Sequence, residues 1–97
     1  MFVAVIPIDI HDSLCVASVR PSATVEGLDI VLVIGGTLRV EALVTRQALE
    51  KRWRARHTGD AMHWLAAYEK NRRAIHSCIL RQHRPGAKRV IVDARSV

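Results

Sequence analysis

The largest group of side chains here that could do chemistry is cationic. Lys70, Arg73, Arg81 and Arg84 fall on one arc of a helical wheel, with Ser77 among them. Arg46, Lys51, Arg52, Arg54 and Arg56 precede them, and Lys88 and Arg89 follow. A basic stripe of this kind can track phosphates, giving affinity without sequence information. The residues expected to contact nucleic acid are therefore Lys70, Arg73, Arg81, Arg84, Arg54, Lys88 and Arg89. The chain carries 15 Lys+Arg against 9 Asp+Glu, a net charge of +6. Residues 1–45 hold two basic and five acidic groups, whereas residues 46–97 hold thirteen basic and four acidic. The second half is a localised positive field that attracts nucleic acid, an anionic membrane or an acidic protein. A competing explanation is compositional. Twelve of the 15 basic residues are Arg in an Ala- and Val-rich chain, a usage that also follows from GC-rich coding, and the charge would then only solubilise.

Other constellations are thinner. His76, Cys78 and His83 lie in one helical segment, but Cys78 sits well round the helix from the two histidines. No Cys-x-x-Cys or His-Glu-x-x-His spacing is present, so no metal site is expected. Asp9, His11 and Asp12 cluster, and Asp60 precedes His63 by three. Either set could pair a carboxylate with an imidazole, though the second reads more simply as a helix cap. There is no nucleophile elbow, phosphate loop or dinucleotide fingerprint. Gly35-Gly36 is not followed by a helix start, so it is no phosphate cradle. A chain of 97 residues rarely builds a water-excluding pocket alone. The expectation is a non-catalytic protein with no cofactor and no small-molecule substrate. Only four aromatics exist, Phe2, Trp53, Trp64 and Tyr68. The last three fall on expected core faces, which disfavours modules that stack bases on an exposed sheet.

A second class of function competes with nucleic-acid binding. Leu65, Arg72, His76, Leu80 and His83 form a mixed stripe beside the core seam. Leu65, His76 and Leu80 are its candidate interface residues, for a homodimer or another protein partner.

The elements that must hold these groups are legible from periodicity. Residues 1–8 read as an edge strand and residues 13–19 as a weaker one. Leu28 to Ile34 and Thr37 to Val44 flank Gly35-Gly36, the pattern of a hairpin with a primed turn. Leu38, Val40, Ala42 and Val44 share one face of the second strand, and Arg39 and Glu41 the other, which implies a sheet covered on one side. Thr45 is placed to cap a helix from Arg46 to about His57. Thr58-Gly59 breaks it, and Asp60 caps a second helix that runs to about Arg84, before Pro85-Gly86. Ala61, Trp64, Tyr68, Ile75, Ile79 and Gln82 form the buried stripe of that helix, with Leu65 and Cys78 at its margins. Val90 to Val92 returns as a final strand. The expected fold is α+β: a mainly antiparallel sheet with two helices packed on one face, in the order strands, helix pair, strand, as one domain over residues 1–97.

Two polar residues flank the buried seam. Asn71 is expected to bond a backbone group near the strand–helix junction. Arg72 is expected to bury its stem and reach a carboxylate.

Two stretches carry a likeness to a known family. Val44-Thr45-Arg46-Gln47-Ala48-Leu49 is similar to its strand-end pattern, and Tyr68-Glu69-Lys70-Asn71-Arg72-Arg73-Ala74-Ile75 to its aromatic, polar, Arg, Ile pattern. Over about residues 28 to 93 the chain resembles a bacterial family of short proteins of unknown function, numbered 1488 among the domains of unknown function. Residues 1–27 match less clearly, and Ala42 stands where that family has Cys. The resemblance implies a small α+β fold and brings no activity, cofactor or catalytic residue.

The broad class follows from composition. The chain is 49% hydrophobic and 25% charged, ordinary for a globular domain. No apolar run approaches the ~20 residues that span a membrane. Met1 to Ile6 lacks a basic flank and a small-residue cleavage site. A cytoplasmic protein is expected, with Cys15 and Cys78 as free thiols.

Overall fold

A computed structural model of the chain describes residues 14–95. The proposed strand at residues 1–8 and the Asp9, His11, Asp12 cluster lie outside the described residues. Strands β1 (Leu14–Pro21), β2 (Gly27–Ile34) and β3 (Leu38–Thr45) come first. Helices α1 (Arg46–Trp53), α2 (Ala61–Lys70) and α3 (Arg72–Gln82) follow, and β4 (Val90–Val92) closes the order. The sheet runs β1-β2-β3-β4. Its first two pairings are antiparallel and the third, β3 with β4, is parallel. A parallel return needs a long crossover, and the three helices supply it.

The hairpin forms as its glycines require. Gly35 and Gly36 have φ of 61° and 77°, the left-handed region that a primed turn demands. At the other end of β2, a Cβ on Gly27 would lie 2.4 Å from the Val44 carbonyl oxygen, so only glycine fits that close approach. Leu28, Ile30 and Leu32 stand opposite Val44, Ala42 and Val40 on the inner face, and all six are buried. Arg39 and Glu41 point outward, as their alternation indicates, and bridge each other at 3.3 Å.

In β1 the pairing shifts between Val16 and Ser18. The extra residue at Ala17 reverses the alternation. Val16 and Val19, three apart, therefore both pack against the core. A strict period of two would have turned one of them to the outer face.

The expectation of two helices is overturned: among the described residues there are three. The stretch read as one helix from Ala61 to about Arg84 breaks at Asn71, whose backbone turns to φ −125°, ψ 26°. Asn71 Nδ2 donates to the Ala67 carbonyl at 2.9 Å and to the Trp53 carbonyl at 3.4 Å. A side-chain amide that bonds helix backbone competes with the ladder and bends it. Periodicity cannot show this, because Tyr68 and Ile75 are seven apart and keep one face across the break. The domain is thus mixed α+β, an open four-stranded sheet with three helices packed nearby. Trp64, Ala67 and Tyr68 of α2 and Ile75, Cys78 and Ile79 of α3 join Leu49 and Trp53 of α1 in one core with the inner face of the sheet.

Thr45 caps α1 as expected, its Oγ1 accepting from Ala48 N–H at 3.3 Å. The helix stops at Trp53, however, short of His57. Arg54 adopts the left-handed conformation, φ 58°, ψ 34°, and its N–H donates to the Leu49 carbonyl. Ala55 N–H donates to the same oxygen at 2.9 Å. Among the described residues no helix is long and apolar enough to cross a membrane.

Candidate nucleic-acid interface

The left-handed turn at Arg54 shapes the site. It swings residues 54–56 out of the helix line toward α2, and a groove of about 300 Å³ opens between the two elements. Arg52, Arg54, Arg56 and Lys70 line it with His63, over a floor that includes Trp53, Ala55, Ala66 and Ala67. Among the described residues no carboxylate lines it. The four cations are exposed, and among the described residues none of them has a carboxylate partner. Arg46 differs, held at 2.9 Å by Glu26 and at 3.4 Å by Glu50.

Two polar anchors hold the groove walls. Glu50, only 12% exposed, accepts from Thr58 N–H at 3.1 Å and meets His57 Nδ1 at 3.1 Å. Residues 54–58 are thereby tied back to α1. Asn71 ties the end of α1 to the end of α2 through the two carbonyls already described. The bond foreseen for Asn71 exists, but it reaches the last residue of α1 and not the strand–helix junction at Thr45.

Asp60 and His63 form a capping box. Asp60 Oδ1 accepts from Met62 N–H at 3.1 Å and His63 N–H at 3.4 Å, while Asp60 N–H reaches His63 Nδ1 at 3.1 Å. The His63 backbone bond is the foremost of the contacts that hold the Asp60 carboxyl below its ordinary range. This fixes the His63 ring at the groove edge. Among the described residues no group of three or more His, Cys, Asp or Glu is placed to hold a metal ion.

The sequence candidates separate in space. Arg54 and Lys70 share the groove. Arg73 and Arg81 are exposed on α3, and Arg84 just beyond it. Arg84 folds back, its Nη1 donating to the carbonyls of Arg81 and His83, each at 3.2 Å. Lys88 is exposed. Arg89 lies elsewhere, on the outer face of the sheet, with Arg20, Arg39, Asp29 and Glu41 around a shallow hollow. Its guanidinium is 3.9 Å from Asp29. Lys70 and Arg81 also stand in the last turns of their helices, where a cation complements the helix dipole. Arg54 is the C-cap of α1 and stands in the same dipole field, whereas Arg56 lies two residues beyond it.

Of the interface candidates, His76 is 4% exposed. Its Nε2 is 2.7 Å from Tyr68 Oη in the core. Leu65 and Leu80 are half-buried, and Leu65 packs on the core. Contrary to expectation, Arg72 reaches no carboxylate among the described residues. It is exposed, with its guanidinium 5.8 Å from the centre of the Tyr68 ring. Burial pushes the Tyr68 phenol above its ordinary range, and the nearby Arg72 charge opposes that shift.

Sequence reasoning did not single out the groove. Arg52 and Arg56 appeared only as additions to a helical stripe, His63 only as a neighbour of Asp60, and Trp53 only as a core residue. The signal that would have found them is the left-handed turn, which no glycine announces.

No family model, no curated protein and no solved structure matches the chain. Its function must be argued from the side chains and their placement.

Proposed function

We propose that this chain is a small, non-catalytic binding module of the cytoplasm that holds nucleic acid by its phosphates. The observation that supports the reading is the groove between α1 and α2. Among the described residues, four exposed cations without carboxylate partners converge there, and no acidic residue lines it. A cation with no internal partner keeps its hydration until an anion arrives, and a cluster of them raises local anion concentration. Arg73, Arg81 and Lys88 add positive field outside the groove. Self-association through Leu65, His76 and Leu80 has less support, because His76 is buried and bonded to Tyr68.

The test is fluorescence anisotropy with labelled DNA and RNA at low and moderate salt. Binding should fall steeply with salt, because bound phosphates release counterions. It should be lost in Arg54→Glu/Lys70→Glu. No binding at low salt would overturn the reading.

A further inference from the structure

We infer that the groove seats one nucleotide of a single strand, phosphate on the rim and base against the floor. The inference rests on the nucleic-acid reading above and specifies its substrate.

Three features of the groove point this way. The first is its mixed lining. The cations stand over an apolar floor containing Trp53 and Ala66. A duplex keeps its base faces stacked inside and exposes only base edges within its grooves, so no base face is free to meet an apolar floor. An unpaired base has an apolar face free to settle there.

The second is size. A concave space of about 300 Å³ encloses a single sugar, phosphate and base edge. A rigid duplex backbone can only lie across its mouth.

The third is Asn71, which lines the groove. Its amide nitrogen is committed to the Ala67 and Trp53 carbonyls, so the orientation of the amide is fixed. The oxygen is the unused acceptor of that side chain, since no described residue donates to it. A fixed acceptor beside an apolar floor suits an N–H donor on the edge of a base. A bare phosphate has no donor to offer it.

Ala66 allows a test that spares both charge and core. It is exposed on α2 and lines the groove. Ala66→Leu fills the floor and keeps a good helix former. A labelled single-stranded oligonucleotide, its duplex and a free mononucleotide would be titrated against the full chain and this variant. The single strand should bind more tightly than the duplex. Ala66→Leu should weaken the single strand by about tenfold, the scale of one lost base contact. Duplex binding should weaken less than single-strand binding, and the thermal melting point should stay unchanged. Equal affinity for strand and duplex, with Ala66→Leu silent, would overturn the nucleotide seat while leaving phosphate binding intact. A mononucleotide as tight as the strand would likewise overturn it in favour of a free nucleotide. Binding to none of the three would remove the nucleic-acid reading itself.

Discussion

The side-chain amide of Asn71 reaches the main-chain carbonyl of Trp53, 18 residues earlier, at 3.4 Å. It also reaches the Ala67 carbonyl of its own helix at 2.9 Å. One residue thus ends α2, redirects the chain into α3 and fastens the end of α1. Asn71→Ala should destabilise the fold by about 1–2 kcal/mol, the cost of losing the side-chain bond that ties the Trp53 carbonyl to the end of α2. Chemical denaturation would show it as a lower midpoint. An unchanged midpoint would mean that the helix break is set by packing alone.

Tyr68 and His76 make a second internal pair, with 2.7 Å between Oη and Nε2 in the core. Tyr68→Phe should cost about 1–3 kcal/mol, because the buried His76 loses a partner.

The same pair predicts an alkaline limb. Desolvation raises the Tyr68 phenol above its usual value near 10.0. A raised folded-state pKa stabilises the neutral form, so its contribution is complete below the unfolded value and is lost as pH rises through the folded one. Stability should fall as pH climbs beyond about 10. Tyr68 is the one tyrosine in the chain, so tyrosinate absorbance reports this site alone. Phenol ionisation at the unfolded value, with stability flat across that range, would contradict the assignment.

Arg54 is an arginine in a conformation that favours glycine, with φ of 58°. The left-handed backbone costs a non-glycine residue about 1 kcal/mol. Arg54→Gly should therefore raise the denaturation midpoint and weaken oligonucleotide binding. Strain kept at a site is expected where the side chain has a use. A variant that gained stability and bound equally well would leave Arg54 without one.

Glu50 receives Thr58 N–H, His57 and Arg46. Glu50→Ala should free residues 54–58 and cost about 1–2 kcal/mol, since bonds to a charged acceptor exceed neutral ones. Hydrogen exchange should accelerate at Thr58 first. Protection at Thr58 equal to that of the unsubstituted protein would show that the loop is held by other contacts.

Locally encoded elements could be read from the residues. Gly35-Gly36 between β-branched runs, Thr45 before Arg46, Asp60 before Ala61 and the Val90–Val92 run each carry their own chemistry. All four form as read. What could not be read depends on contacts far along the chain. Asn71 is legible as a polar residue in need of a backbone partner, but not as a helix break, until Trp53 is placed beside it. Ala17 gives no sign of the irregularity in β1. Residues 54–57 continue the helical pattern of α1, so the turn that makes the groove is invisible to periodicity. The cations were visible as a charge excess. Their sorting into groove, α3 surface and sheet face came only with the fold.

The central claim is that the groove binds phosphate by position and not by net charge alone. Arg54→Glu/Lys70→Glu and Arg39→Glu/Arg89→Glu change the total charge equally, the first pair in the groove and the second on the outer face of the sheet. Oligonucleotide affinity would be measured across a salt series for both and for the unsubstituted protein. Four groove cations predict that log affinity falls against log salt with a slope of about −3. The sheet-face variant should keep that slope, and the groove variant should lose binding. Equal losses in the two variants would contradict the claim and leave the charge as a property of the whole surface.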